Sequence, residues 1–311
     1  MIPVAACSLP YLLVRYTTPP VFLSGNSIAM ILQNQQDALA LAVKEVSALV
    51  KTPAIWCIAA QETVSVGTNV FSPGAAPHLR FSFLLLVISV AVPPNAAADI
   101  SETIRARSDG AVTATLLLHP LGSVINSHGN GRWFFSRVFS QGTIVQPSPL
   151  VAGLELPDVP TFDAAAAQKY FNARRCTAVA ILEGAAAIKI PSGGPVIIML
   201  CHIAVEHLAL GLLEIFFGYR PLVVSLSHLF NILETVCPLT AEMFPHDTAE
   251  NNRLFRLLSA QPSSLRHASP GKIPVADVEA ILSRTRSFLD AGIKAAGERL
   301  SGNAPQVNTK S

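Results

Sequence analysis

Apolar positions recur along this chain in two regimes. Between Gln36 and Val50 they stand at helical spacing, as Leu39, Val43, Val46 and Val50, and Lys51-Thr52-Pro53 closes the run; this predicts an amphipathic helix. Two continuous apolar stretches follow, Ala54 to Ala59 and Phe81 to Val90. They predict buried strands, joined by a loop through Ser72-Pro73-Gly74. Asp99 to Arg107 predicts a second helix, Val112 to His119 a third strand, and Trp133 to Ser140 a helix with Gly142 past its end. Helix, strand, strand, helix, strand is an α/β order around a small sheet. Four prolines between Gln146 and Pro160 then predict a linker.

Beyond the linker the period is helical throughout. Thr161 to Ala187 is alanine-rich, and Ser192-Gly193-Gly194-Pro195 predicts the start of a helix running to Gly218. Ser225 to Val236 places Leu226, Leu229, Phe230 and Leu233 on one face. Asp247 and Glu250 have capping-box spacing before Leu254, Phe255, Leu257 and Leu258. A last helix carries Val275, Val278, Ile281, Leu282 and Leu289 and is predicted to end at Gly292. Five helices with short connections make a bundle, and the polar tail past Leu300 reads as disordered.

Composition narrows the functions open to such a chain. With 311 residues, two domains are expected at ~150 residues each. Hydrophobic residues make up 50% and charged ones only 14%, which excludes intrinsic disorder. A net charge of +2 excludes polyanion binding by bulk charge. Polar surface is scarce enough that another subunit is expected to cover part of the apolar surface. The run from Phe81 stops at Pro93-Pro94, too short to span a bilayer. The run from Val196 to Phe217 is long enough but carries His202, Glu206, His207 and Glu214, expensive in lipid, so it predicts a buried helix and no membrane partner. Met1 to Leu13 lacks the basic start of a signal peptide. Cys7, Cys57, Cys176, Cys201 and Cys237 form no CxxC pair and no metal-ligand spacing. They are expected to be buried thiols of a reducing compartment, the cytoplasm.

One constellation is more specific. Cys201-His202 leads through Glu206-His207 to Phe217-Gly218-Tyr219-Arg220-Pro221; Met243-Phe244-Pro245 leads to Thr248 and Glu250; Arg253-Leu254-Phe255 follows, then Leu265-Arg266-His267. In order and spacing, residues 161–294 resemble the HEPN domain of prokaryotes, with its Gln/Glu-His helix, Gly-Tyr-x-Pro turn and Phe-Pro-x-x-Thr-x-Glu segment. HEPN domains often stand beside a minimal nucleotidyltransferase, and residues 36–150 resemble a worn version of one: Ile55 to Ala59 lead to its Gly-Ser loop, Phe81-Ser82-Phe83 fall at its Asp-x-Asp, and Gly131-Arg132-Trp133 fall near its end. The resemblance implies an α+β chain made of a small α/β nucleotidyltransferase-like domain and an all-α HEPN-type bundle, with residues 1–35 unassigned and 301–311 a tail. It also implies a homodimer and a toxin–antitoxin or defence setting.

The departures weigh against turnover. Two carboxylates must hold magnesium against nucleotide phosphates, and Phe81 and Phe83 cannot; Ala59-Ala60-Gln61 is no phosphate-cradling Gly-Ser. The HEPN ribonuclease spacing of arginine, four to six residues, then histidine occurs nowhere: Arg220 and His228 are too far apart, and His267 follows Arg266 directly where the family has tyrosine. Pro262 interrupts that helix. The expectation is a nucleotide or RNA ligand bound without turnover, with no cofactor and no metal, and with Arg266, His267, His202, Glu206 and Arg220 as binding candidates. His202 and Glu206, i and i+4 on one helix, suit a metal or acid–base pair or merely a helix-stabilising pair. Arg266 and His267 suit a phosphate, a base or a solvated helix end. Arg132 and Arg137 beside Trp133 suit stacked bases but share a face poorly. Two other readings stay open: a metal-independent ribonuclease using Arg266 and His267, and a structural dimerisation module.

Overall fold

The computed structural model describes residues 33–65, 78–93, 95–152, 160–222, 224–260 and 273–302. The expected 72–77 loop, Pro262, Arg266, His267 and the tail past residue 302 lie outside the described residues, as do the first 32. Among the described residues the chain is α+β with a four-stranded mixed sheet and packs as two compact units. One holds residues 33–122 and 139–152; the other holds 123–138 and the described residues from 160 on.

In the first unit α1 (Gln33–Leu49) precedes β1 (Ala54–Ser65) and β2 (His78–Ser89); then come α2 (Ala96–Arg107), β3 (Val112–Pro120) and β4 (Thr143–Gln146). The sheet order is β3-β2-β1-β4. β1 and β2 are antiparallel from Ala54↔Ile88 to Ser65↔His78, and β2 and β3, bridged by α2, are parallel. β2 reads as a nearly unbroken apolar run because it is central and buried on both faces. Phe81, Phe83, Leu85 and Val87 join Ile55, Cys57 and Leu116 beneath Leu39 and Val46 of α1, Val50 just past its end, and Ile100 and Ile104 of α2. On the other face, Trp56 packs on Phe139 at 4.7 Å. Glu45 is buried on the inner side of α1 and tolerates it through an ion pair with Arg107 Nη1 at 2.6 Å. The strand expected over residues 54–59 runs on to Ser65, since its partner continues equally far. β4, four residues on the sheet edge, gave too short a pattern to be expected.

Between β3 and β4 lie α3 (Leu121–Ile125) and α4 (Gly129–Gln141); residues 123–138 of these belong to the second unit. That unit continues with α5 (Ala164–Ala187), α6 (Ile190–Phe217), α7 (Leu226–Leu233), α8 (Leu239–Met243), α9 (Ala249–Leu258) and α10 (Val275–Leu300). Asp163, Ser225 and Thr248 cap α5, α7 and α9 by accepting from the backbone N–H three residues on. The cap of α9 is thus Thr248, one residue after the Asp247 of the expected box. α6 packs against α5, α7, α9 and α10. It is long and apolar enough to cross a membrane, but 67% of its most apolar stretch is buried inside the fold.

Three expectations are corrected here. α6 starts at Ile190, not after Ser192-Gly193-Gly194: the Gly193 N–H already donates to the Lys189 carbonyl at 3.0 Å. Pro195 therefore sits inside the helix, near enough its start that its missing N–H interrupts only the first turns. α10 does not stop at Gly292 but continues to Leu300. A Cβ at position 292 would lie 2.9 Å from Leu208 Cδ2, so this glycine is a close-approach point between helices. Cys57, Cys201 and Cys237 are buried as expected, but Cys176 is exposed on the solvent side of α5. Burial pushes the Cys57 thiol up to about 12 and Cys201 to about 11, so neither ionises near neutrality.

Candidate functional site

The row that the resemblance assigns to magnesium is built from the wrong atoms for it. Phe81 and Phe83 turn into the apolar core, and Ala59, Ala60 and Gln61 lie in mid-strand, paired with Leu84, Phe83 and Ser82. An extended, paired strand forms no turn around a phosphate. The alternate positions face the other way: Ser82 Oγ and the exposed Thr113 Oγ1 are 2.8 Å apart, with Gln61 opposite Ser82 in the register and exposed Arg80 two residues before it. Among the described residues no group of three or more His, Cys, Asp or Glu is placed to hold a metal ion.

In the second unit the Gly-Tyr-Arg-Pro turn organises a buried polar knot. Gly218 closes α6 at φ +61°, a left-handed conformation costly for any residue with a Cβ, and its N–H donates to Glu214 O at 2.9 Å. The reversal returns Arg220 to the last turn of α6, where Nε and Nη2 donate to the two oxygens of Glu214 at 2.9 and 3.2 Å. Glu214 is 1% exposed; a carboxylate so buried needs this partner. Asn130 of α4, also buried, completes the knot. Its Nδ2 donates to Glu214 Oε1 and to the Asp163 carbonyl, and its Oδ1 accepts the Asp163 N–H at 2.8 Å. The carboxylate in turn holds the Arg220 guanidinium above its ordinary value, by hydrogen bonding first. Tyr219 points inward, buried against Phe134 with ring centroids 4.6 Å apart.

A Cβ at Gly218 would also meet the Asn130 carbonyl at 3.0 Å and Trp133 at 3.1 Å. Gly218→Ala is expected to cost about 1–2 kcal/mol from the left-handed backbone alone. The urea midpoint reads this, and an unchanged midpoint would show that the turn relaxes freely.

Arg220 also lies over the Tyr170 ring of α5, 4.1 Å from its centroid, and Arg174, one turn further along α5, lies 5.0 Å from the same centroid. Arg174 Nη1 meets His207 Nδ1 of α6 at 3.2 Å. Gly211 allows this approach: a Cβ there would sit 2.9 Å from Phe171 and 3.4 Å from Arg174 Cβ. Partial burial, then the Arg174 charge, lowers the His207 pKa from its ordinary value.

Of the candidates chosen from sequence, Arg220 is therefore in this cluster. His202 is not: it is buried, and its Nδ1 is 2.8 Å from the Leu258 carbonyl, so this nitrogen carries the proton and pins the end of α9 to α6. Its Nε2 is 3.7 Å from Glu206 Oε2, one turn further along α6. Arg137 lies 5.3 Å above the Trp133 ring one turn away; partial burial and then Arg299 lower its pKa. Tyr170, Arg174, His207, Glu214 and Asn130 were not singled out as site residues. Tyr170 and Arg174 carry an i, i+4 signal, the aromatic and cationic interruption of an alanine-rich helix. Neither any protein-family model nor any curated protein matches the chain.

Proposed function

We propose that this chain is a HEPN-type protein with a degenerate nucleotidyltransferase-like domain, acting in the cytoplasm as a homodimer that binds a nucleotide or RNA without turning it over, in a toxin–antitoxin or defence setting. The observation that carries the reading is the fate of the row at positions 81 to 83. Two phenylalanines fill the core where magnesium-holding carboxylates belong, while hydroxyls and Arg80 remain on the surface. Such a row donates hydrogen bonds to a ligand but assembles no metal for phosphoryl transfer. Three motif residues of the helical unit support the same reading: Phe244 lies in the core, Thr248 caps a helix and Gly218 ends one. The buried Glu214 and His202 of α6 suit a water-soluble bundle.

The test is titration of a fluorescein-labelled oligouridylate and of AMP into the purified chain with magnesium present, followed by gel analysis of the RNA and sedimentation of the protein. Saturable binding with intact RNA and a dimer mass is expected. Cleaved RNA would overturn the non-catalytic reading, and no binding of either probe would overturn the binding one.

A further inference from the structure

We propose that Arg174, His207 and Arg220, gathered about the Tyr170 ring, form a binding site for a phosphate group, carried by a nucleotide or by an RNA backbone. The inference rests on the reading above and adds to it the place where the phosphate is held.

The argument is one of unspent donors. Arg220 uses Nε and Nη2 on Glu214, leaving Nη1 without a partner among the described residues. Arg174 uses Nη1 on His207 and keeps Nε and Nη2. An arginine has donors only, so the contact with His207 Nδ1 requires that nitrogen to accept, which places the imidazole proton on Nε2 as a further donor. The lowered pKa of His207 agrees with a neutral ring. Three side chains thus offer N–H groups, and none offers an acceptor. A phosphate, rich in acceptor oxygens, is the complementary group.

The site is also held in advance. The buried Glu214 fixes the Arg220 fork from below, and the exposed part of the guanidinium presents its positive side to solvent. Both guanidinium carbons lie within 5.0 Å of the same ring centroid, so two cations are gathered about one aromatic side chain. Because Arg220 already lies over the Tyr170 face at 4.1 Å, the ring acts as a floor for cations. Cation–π contact limits the freedom the two side chains would otherwise lose on binding. Glu206, beside His207 in sequence, has its carboxylate 3.7 Å from His202 Nε2, and its charge also reaches His207, where it opposes but does not cancel the lowering by burial and Arg174.

The experiment compares the full chain with Arg174→Gln, His207→Gln and Arg220→Lys, using labelled oligouridylate and AMP across a series of salt concentrations. Arg105→Gln, an exposed residue of α2 paired with Glu102, serves as the control, and a thermal melt of each variant confirms that it folds. Losing a charge-assisted contact should weaken binding about tenfold or more for Arg174→Gln. It should also flatten the log–log salt slope by about 0.7 for a single-stranded ligand. His207→Gln and Arg220→Lys should weaken binding less, and Arg105→Gln should leave it unchanged. Loss of AMP binding as well as RNA binding would identify a nucleotide phosphate, and loss of RNA binding alone a backbone phosphate. Wild-type affinity and slope in all three folded variants would overturn this site while leaving the binding function intact elsewhere on the chain. Failure of the wild-type chain to bind either probe would overturn both.

Discussion

Phe230→Ala should lower the stability of the helical unit by about 3–5 kcal/mol, the cost of truncating a fully packed aromatic residue in a core that cannot collapse around the space. Phe230 is 2% exposed, and its ring lies 5.5 Å from Phe244, 5.5 Å from Phe255 and 5.6 Å from Phe288. Phe244 and Phe288 in turn meet edge-on at 5.7 Å. α7 contributes only eight residues, too few for a stable helix in isolation, so this side chain joins α7 to α9, to α10 and to the segment after α8. At about 2–4 °C per kcal/mol for a unit of this size, the melting transition should fall by roughly 10 °C. Phe230→Leu keeps most of the volume and should lose less than half as much. Calorimetry on both variants reads this, and a loss below about 1 kcal/mol for the alanine variant would show that Phe230 is not the centre of that core.

What the sequence makes legible follows from how much of each signal is local. The apolar run of β2, the stripe of α1 and the inward face of α7 were readable because burial on one or both faces leaves a period in the chain. Phe81 and Phe83 were readable as well: their chemistry excludes metal binding wherever they lie, and their core position follows from the strand. Glycines carried less. Gly218 and Gly292 each read as a helix stop after a stretch with apolar residues at helical spacing. Only packing distinguishes a left-handed stop at φ +61° from a helical residue that admits Leu208. The cluster around Tyr170 was the least legible part. Its members come from α5, α6 and the turn beyond, and the pairing of Arg174 with His207 depends on how closely Gly211 lets the helices approach. His207 follows Glu206 directly, so it projects from another side of α6, and nothing in its spacing reveals that α5 waits there. Glu214, an ionisable group inside an apolar run, was the available clue, since a buried carboxylate requires a partner within reach.

Acid should destabilise the protein well before its carboxylates titrate. His119, at the end of β3, is 4% exposed, and burial depresses its pKa from 6.5 to about 4. His228 in α7 is depressed to about 4 for the same reason. A histidine buried neutral protonates more readily once the chain unfolds, so below about pH 6.5 the unfolded state binds more protons than the native one. The stability these residues permit is complete above that pH, declines as the pH falls from about 6.5 toward about 4, and then levels off once the native rings also protonate. For His119 the 6.5-to-4 interval corresponds to about 3 kcal/mol at its lower end, at 1.36 kcal/mol per unit. His228 keeps some solvent contact, so its share is smaller. His207, shifted in the same direction, adds to the decline. Glu102 and Asp247, exposed carboxylates held below their ordinary range by Arg105 and Asn251, lose their contributions at still lower pH. Urea unfolding between about pH 7.5 and about pH 4.5 should therefore show a midpoint that falls steadily with acid. His119→Gln should start from a lower midpoint and fall less steeply, because glutamine takes up no proton on unfolding. A midpoint that holds constant or rises over this range would mean that His119 and His228 reach solvent in the native state.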